Sequence, residues 1–284
     1  MNPLRALLDR LGVTAGDVIY LHTSFKRLAY LGITANELIE TLTERLGPQG
    51  TLAVPSFAWN LDRTARPWKG YAEYFQRRPI FDVRQTPANI GLVPELFRTM
   101  PGVCRSLDYW WPVCARGALA IELTRGQQMV CHPYGPSSTF DRLRQHGAKI
   151  LGLGVSLNTT SLALIADYQL GDAHPHRVFT DEPKSGLVID SIGERIWTKS
   201  YWLLPEVVRL IKPSALFELS PWLREATARA DHEDTIHFCY PYANYHAEAL
   251  RLGRLAAQQG EPLPWLRDLP VRQRTAAVLA RLSA

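Results

Sequence analysis

Hydrophobic and polar positions alternate with two different periods in the first third of the chain. Residues 3–12 carry apolar side chains at helical spacing, and the apolar run 17–22 that follows is typical of a buried strand. Thr34 and Glu37 then form a capping box, which marks the start of a second helix. The apolar run 50–57 predicts a second strand. This order of elements favours an α/β fold in which helices cover a sheet.

The rest of the chain continues with segments of either period. They predict a helix at 90–100, a helix at 138–147, a buried strand at 148–155, the start of a helix at 156–163, a hairpin at 186–198, a strand at 233–240, a helix at 243–259 and a terminal helix at 271–282. We find no internal repeat that would divide the sequence. We therefore expect one domain that spans residues 1–284.

Two parts of this expected domain differ from the rest. Residues 58–88 are rich in arginine, proline and aromatic side chains and follow neither period, which predicts a long loop or lid. Residues 260–284 are predicted as a C-terminal helical appendage.

Composition narrows the class of protein. Of 284 residues, 46% are hydrophobic and 21% are charged, which is typical of a globular protein with a real core. No apolar run reaches about 18 residues, so we expect no membrane-spanning helix and no signal peptide. The formal net charge of +5 is scattered along the chain, whereas a nucleic-acid-binding protein would cluster it. We expect a cytoplasmic protein that binds neither membrane nor nucleic acid.

The cysteines argue against a metal centre. Cys104, Cys114, Cys131 and Cys239 lie far apart, and no pair has the spacing of a zinc site. His174 and His176 are two residues apart, but we find no third ligand at a useful spacing. We therefore expect no metal.

Several short motifs, in their order and spacing, carry a resemblance to a known family. They are His22-Thr23-Ser24-Phe25-Lys26, Leu46-Gly47-Pro48-Gln49-Gly50-Thr51, Glu95-Leu96-Phe97-Arg98, Arg105-Ser106-Leu107 and Leu151-Gly152-Leu153-Gly154. Together they resemble the aminoglycoside 3-N-acetyltransferase family, from about Leu4 to about Leu252. The resemblance implies a central mixed sheet flanked by helices, and an N-acyltransferase that uses acetyl-CoA or another acyl thioester.

The resemblance also implies where the acyl donor binds. It carries the donor contact over to Thr23 and Ser24, with His22, Phe25 and Lys26 beside them. A loop that follows a strand exposes backbone N–H groups, hydroxyls add donors, and a lysine attracts an anion. Arg105 and Ser106 are a second candidate pair for a phosphate or a carbonyl group.

The chain departs from the family at the general base. The family has a histidine followed three residues later by a glutamate, and this chain has Leu164 and Asp167 at those positions. One hypothesis is that Asp167 orients His176, which takes over as the base. His22 is the other candidate base, and Ser161 is a candidate for stabilising the oxyanion.

A second departure concerns the acceptor. The segment Asp108-Tyr109-Trp110-Trp111-Pro112 stands where the family typically has His-Pro and then a serine, so two tryptophans and a tyrosine replace small polar residues. This indicates a flatter and more apolar pocket than a polycationic aminoglycoside requires, and Asp108, Trp110 and Trp111 are predicted to belong to it. Without the family's base, the enzyme would favour nitrogens that are already unprotonated at neutral pH, such as aromatic amines, hydroxylamines and hydrazines.

The resulting interpretation is an N-acyltransferase acting by direct attack on an amine of a small molecule, from secondary metabolism or surface-sugar biosynthesis, other than an aminoglycoside. Two alternatives stay open. In the first, the acyl donor is a carrier protein instead of CoA. In the second, the chain binds CoA or a small molecule without turnover, because Leu164 replaces the base. The sequence also leaves a homodimer open.

Overall fold

The computed structural model describes residues 3–58, 80–204 and 210–266. Within these ranges the strands are β1 (Val18–Thr23), β2 (Thr51–Pro55), β3 (Ile80–Asp82), β4 (Cys104–Arg105), β5 (Val113–Gly117), β6 (Lys149–Leu153), β7 (Lys184–Ile189), β8 (Arg195–Ser200), β9 (Ala228–Arg229) and β10 (His237–Pro241). The α-helices of the same ranges are α1 (Pro3–Arg10), α2 (Ala35–Leu46), α3 (Leu92–Thr99), α4 (Ala120–Thr124), α5 (Thr139–Gln145), α6 (Leu164–Leu170), α7 (Ser214–Leu219), α8 (Pro221–Glu225) and α9 (Tyr242–Gln259).

The main sheet has seven strands in the order β4-β5-β2-β1-β6-β10-β9. Its centre is parallel, because β1 pairs in parallel with β2 on one side and with β6 on the other. The outer pairings are antiparallel. Helices lie on both of its faces, so the predicted central mixed sheet flanked by helices is confirmed.

Strand β1 shows why this sheet is covered on both faces. Ile19 and Leu21 belong to a buried cluster that includes residues of α1, α2 and α3. Tyr20, between them, belongs to the cluster on the opposite face, with residues of α5, α6 and α9. A strand buried on both faces has a continuous apolar sequence. That is the reason the run 17–22 could be identified as a strand.

Local signals in the sequence fix several helix ends. Thr34 Oγ1 accepts a hydrogen bond from the Glu37 N–H while the Glu37 carboxylate accepts one from the Thr34 N–H, so the predicted capping box caps α2. Ser138 caps α5 through the N–H of Asp141. These bonds satisfy N–H groups that the first turn of a helix leaves unpaired.

A second, smaller sheet contains β3, β7 and β8. The hairpin predicted at 186–198 is present as the antiparallel pair of β7 and β8. β3 lies inside the segment 58–88, where the sequence predicted only a loop. The residues of β3 pair in parallel with β7, which is distant in sequence. No local sequence pattern therefore predicts β3.

The segment 156–163 also differs from its prediction as the start of a helix. It contains two 3₁₀ turns, Leu157–Thr159 and Ser161–Ala163, before α6 begins. Thr160 between them is extended, with φ −75° and ψ 106°, and interrupts the helix. Serine and threonine side chains compete for hydrogen bonds with a helical backbone, which favours this interruption.

Two predictions lie partly or wholly outside the described residues. These are the loop predicted at 58–88, of which residues 59–79 lie outside, and the terminal helix predicted at 271–282. Only 260–266 of the expected C-terminal appendage can be compared. None of the helices in the described ranges is both long enough and apolar enough to cross a membrane.

Candidate functional site

A cavity of about 330 Å³ lies at the carboxyl ends of the central parallel strands. His22 and Thr23 end β1, Pro55 ends β2, and the segment from Asn158 to Leu164 follows β6. β2 and β6 flank β1 on opposite sides. In open α/β sheets, ligands bind in the crevice beyond the carboxyl ends of strands at such a point. The fold therefore makes this cavity the candidate site.

Most of the described lining of the cavity is apolar. It comprises Leu21, Pro55, Phe57, Ile90, Pro94, Trp110, Trp111, Ala163, Leu164, Leu203, Ile211 and Pro213. The rings of Trp110 and Trp111 meet edge to face at 5.6 Å, and Phe57 meets Trp111 at 4.8 Å in the same manner. Such edge-to-face contacts fix ring positions. Both tryptophans predicted for the acceptor pocket therefore line this cavity, and the binding of an acceptor there stays a prediction.

The polar residues of the described lining are uncharged at neutral pH. They are His22, Thr23, Asn158, Thr159, Thr160 and Ser161. Two of their hydroxyls are bound to tyrosines behind the wall: Ser161 Oγ lies 3.0 Å from the Tyr20 hydroxyl, and Thr160 Oγ1 lies 3.1 Å from the Tyr240 hydroxyl. No aspartate, glutamate, lysine or arginine contributes to the lining among the described residues.

His22 and Thr23 carry polar atoms with unused hydrogen-bonding capacity. His22 Nε2 and Thr23 Oγ1 are buried and have no hydrogen-bond partner among the described residues. Burial lowers the pKa of His22 to about 4, because the charged imidazolium loses its hydration. The imidazole is therefore neutral at physiological pH.

Asp167 has different partners from those predicted. Its Oδ1 lies 3.1 Å from His174 Nε2 and accepts a hydrogen bond of 3.0 Å from Trp265 Nε1. The prediction that His176 pairs with Asp167 is therefore wrong. His176 instead contributes its backbone carbonyl, which lies 2.7 Å from His174 Nδ1. Asp167 and His174 are both buried and neither lines the cavity.

Leu164 is the residue of α6 that reaches the cavity. It forms part of the lining, whereas Asp167, three residues later, does not line the cavity. The Asp167 side chain instead makes its contacts in the protein interior, with His174 and Trp265. The role that the sequence analysis gave Asp167 and His176 in catalysis has no geometric support here.

Asp108 holds the aromatic wall in place from behind. Its Oδ1 accepts hydrogen bonds from the backbone N–H groups of Trp110 at 2.8 Å and Trp111 at 3.0 Å, and its Oδ2 accepts one from Gln127. Burial raises the pKa of Asp108, and these hydrogen bonds oppose the shift. Asp108 was predicted to line the substrate pocket, but it is not part of the lining. It shapes the pocket by fixing a turn.

Arg105 is committed to the main chain. Its guanidinium donates to the carbonyls of Ser56, Thr86 and Val83 and stacks on the Phe81 ring at 4.6 Å. Burial lowers its pKa to about 10, so it stays charged at neutral pH. It ties the end of β2 to the segment around β3.

Ser106, the other member of the second predicted phosphate-binding pair, is also engaged within the protein. Its Oγ accepts a hydrogen bond from the Val113 N–H, and it is fully buried. Neither Arg105 nor Ser106 lines the cavity. Their predicted contact with a phosphate therefore has no support from the geometry.

The predicted donor loop follows β1 at the rim of the cavity. The Ser24 N–H donates to the Leu153 carbonyl at 3.0 Å, which joins the loop to β6. Phe25 packs against the core under α1, α2 and α3. Lys26 is exposed. Thr23 and His22 thus belong to the cavity while Lys26 stands outside it, and the contact of these residues with CoA stays a prediction.

The sequence analysis missed His174 and Trp265 as the partners of Asp167. His174 could have been chosen, since it stands beside Pro175 and two residues before His176. Trp265 lies 98 positions from Asp167 and gave no signal. Within the described residues, no three histidine, cysteine, aspartate or glutamate side chains come together as a metal site.

Comparison with known proteins agrees with the resemblance. A sequence model of the aminoglycoside 3-N-acetyltransferase family matches residues 20–228. Aminoglycoside N(3)-acetyltransferase IX of Micromonospora chalcea is 31% identical over 199 residues, which are 67% of this chain and 67% of that protein. Aminoglycoside N(3)-acetyltransferase VII of Streptomyces paromomycinus is 31% identical over 198 residues, 68% of this chain and 66% of that protein. The matched stretch is about two thirds of each relative.

Solved structures share the fold at lower identity. Aminoglycoside acetyltransferase AAC(3)-Xa superposes with a TM-score of 0.69 at 24% identity, over 87% of this chain and 90% of that one. AAC-IIIb, solved as a binary complex with CoASH, superposes with a TM-score of 0.68 at 22% identity, over 90% of this chain and 95% of that one. With its sequence profile, its relatives and its mixed sheet in agreement, the chain belongs to the aminoglycoside 3-N-acetyltransferase family.

Proposed function

We propose that this chain is an N-acetyltransferase that moves the acetyl group of acetyl-CoA to an amine of a small molecule other than an aminoglycoside. Family membership supports the reaction class, and the relatives in the comparison are named acetyltransferases. The acceptor class is our inference from the cavity.

The observation that carries the acceptor class is the absence of any carboxylate from the described lining. The amines of an aminoglycoside are protonated at neutral pH, and transferring a bare cation into an apolar cavity is costly unless an anion faces it. The aromatic wall of Phe57, Trp110 and Trp111 favours a flat, uncharged molecule instead.

The donor end is supported by the loop after β1. Thr23 offers, in the lining of the cavity, a buried hydroxyl that no described residue hydrogen-bonds. The relative AAC-IIIb binds CoASH. A pantetheine arm entering past Thr23 and Ser24 would bring its thioester to the cavity, and the exposed Lys26 would add a positive charge for the phosphates.

Ser161 is suited to receive the developing negative charge on the thioester oxygen. When the Tyr20 hydroxyl donates to Ser161 Oγ across their 3.0 Å contact, the Ser161 proton is free to point into the cavity. A donor aimed at the oxyanion stabilises the transition state more than the ground state. The amine then attacks directly in a ternary complex, without a covalent enzyme intermediate.

The test has two stages. Calorimetric titration with CoA and acetyl-CoA should show binding, and a thiol-release assay should show acetyl transfer to uncharged amines such as aniline. Sisomicin, the aminoglycoside bound in the solved structure of AAC-VIa, serves as the aminoglycoside acceptor in the same assay. Faster transfer to sisomicin than to every uncharged amine would overturn the acceptor class.

A carrier-protein donor is tested in the same assay. The pantetheine arm of an acyl carrier protein is the same as that of CoA, so an acetylated carrier protein replaces acetyl-CoA in a parallel arm. Acetyl transfer from the carrier protein but not from acetyl-CoA would show that the carrier protein, and not CoA, is the donor. Binding of CoA without transfer from either donor to any amine would instead favour a non-catalytic binding protein.

A further inference from the structure

The reaction releases a proton from the attacking nitrogen, and the cavity offers few groups that can take it. Of the described residues that line it, His22 is the one with a titratable side chain. The hydroxyls of Ser161 and Thr160 are engaged with tyrosines and are poor proton acceptors at neutral pH. Within the described lining, His22 is therefore the group suited to accept the proton.

The position of His22 is well defined. It is the fifth residue of β1, so its side chain leaves the sheet on the same face as that of Tyr20. Its ring meets the Tyr20 ring edge to face at 4.9 Å, and the residue is 6% exposed. The same tyrosine holds Ser161 through its hydroxyl. One side chain thus supports both the imidazole and the hydroxyl at the cavity.

The other buried histidine close to the site contrasts with His22. His174 has Asp167 at one ring nitrogen and a backbone carbonyl at the other, and it does not reach the cavity. A buried imidazole nitrogen without a partner costs free energy in the empty protein. A ligand that fills the cavity would give His22 Nε2 the partner that the described residues do not provide.

Resting on the proposed function, we propose that His22 is the catalytic group that takes the proton of the acceptor nitrogen, and that the acceptor is a nitrogen that is uncharged at neutral pH, such as an arylamine or a hydrazide.

The lone pair of the neutral nitrogen forms the C–N bond to the thioester carbonyl, and the nitrogen becomes positively charged. Its proton passes to the His22 imidazole, the C–S bond breaks, and the electron pair leaves on sulfur. The imidazolium then protonates the thiolate, so that amide and free CoA thiol leave and His22 returns to its neutral form.

The burial of His22 determines which acceptor nitrogens it can deprotonate. Because the pKa of His22 is lowered to about 4, its imidazole is a weak base. An alkylammonium has a pKa near 10, about six units above that of this imidazole. The equilibrium for proton transfer from the alkylammonium to His22 is therefore unfavourable by about a millionfold. A neutral arylamine needs no such transfer before attack. After attack, its nitrogen is acidic enough for a weak base to deprotonate it.

The experiment compares aniline with benzylamine, two acceptors of similar size and shape. At neutral pH the first is neutral and the second is protonated. Thiol release from acetyl-CoA is measured for the wild-type protein, for His22→Gln and for the matched control His146→Gln, whose histidine is exposed on the surface. Glutamine keeps the polarity and length of the side chain but cannot take up a proton.

We expect aniline to be acetylated at least tenfold faster than benzylamine by the wild-type protein. His22→Gln should lower kcat for aniline about 100-fold, in the range for loss of a general base, while His146→Gln leaves it unchanged. Thermal melting and acetyl-CoA titration of His22→Gln should match the wild type, which separates loss of the base from loss of the fold or of the donor site.

Two results would overturn this proposal while leaving the proposed function intact: faster transfer to benzylamine, or full activity of His22→Gln with aniline. If His22→Gln fails to fold, the wild-type ratio of aniline to benzylamine still decides the acceptor class. Absence of thiol release with every amine would refute the proposed function and this inference with it.

Discussion

The cavity lining and the layer directly behind it use buried polar groups in opposite ways. Behind the wall, the side chains of Asp108 and Asp167 each make more than one hydrogen bond within the protein. In the lining, His22 and Thr23 are uncharged and keep buried atoms that have no hydrogen-bond partner in the described part of the chain. Saturated groups hold a structure together, and unsatisfied ones are available to a ligand. Four experiments test this contrast.

The largest effect is expected from Asp167→Ala. It leaves the buried donors of His174 and Trp265 without an acceptor, which should lower the free energy of unfolding by about 2–6 kcal/mol, or about 1–3 kcal/mol for each donor. Urea unfolding measures this, with the exposed Asp172→Ala as the control that should change stability by less than about 0.5 kcal/mol. If Asp167→Ala is as stable as the wild type but has a lower kcat, Asp167 acts on the substrate. The distinction between structural groups behind the wall and ligand-binding groups in the lining would then be wrong.

Acid should destabilise the protein through the lining histidine. The folded-state pKa of His22, about 4, lies below its usual value of 6.5, so the unfolded chain takes up a proton that the folded chain refuses between these values. Stability is therefore lost as pH falls from 6.5 towards 4. By pH 5 the loss from His22 is about 2 kcal/mol relative to pH 7.

The pH effect is measured as the difference in unfolding free energy between pH 7 and pH 5. His22→Gln should reduce that difference by about the predicted amount, and His146→Gln should not. An unchanged difference in His22→Gln would mean that His22 titrates normally, and that the cavity hydrates its ring.

Trp111→Leu tests the aromatic wall. Removing most of a flat ring from the lining should weaken aniline binding about tenfold, as a rise in KM, because the substitution removes apolar contact area. Acetyl-CoA binding should be unchanged. The control is Trp222→Leu, since Trp222 is half exposed on α8 and lies outside the cavity. Equal effects of the two variants would argue against an acceptor in this cavity.

The smallest effect is expected at the rim. Lys26→Ala should weaken CoA binding only a few-fold at low salt, because an exposed lysine acts on phosphates through a screened interaction. The difference should vanish at high salt, and the exposed Lys199→Ala provides the matched loss of charge. An effect that persists at high salt would place Lys26 in direct contact with the ligand.

The sequence predicted those elements whose causes are local. The capping box at Thr34, the N-cap at Ser138 and the two-sided apolar run of β1 each depend on residues within a few positions of one another. β3 could not be predicted, because its three residues become a strand only by pairing with β7 about a hundred positions later.

The sequence predicted several residues of the cavity lining, but it did not predict the hydrogen-bond partners of the residues behind the lining. Trp110, Trp111, Ser161, His22 and Thr23 do come together in the cavity. The partner of Asp167 was misassigned because His174 and His176 flank Pro175, and only the path of the chain decides which imidazole points inward. Whether Arg105 meets a phosphate or three carbonyls likewise depends on residues far away in sequence.

The two 3₁₀ turns after β6 have a consequence for how acceptor preference could evolve. This stretch of wall carries Thr160 and Ser161, yet it is tied down by hydroxyls of Tyr240 and Tyr20, which do not line the cavity. Replacing either tyrosine would release part of the wall without altering any residue that a substrate touches. Selection for a new acceptor could therefore act on the second layer of the protein as readily as on the first.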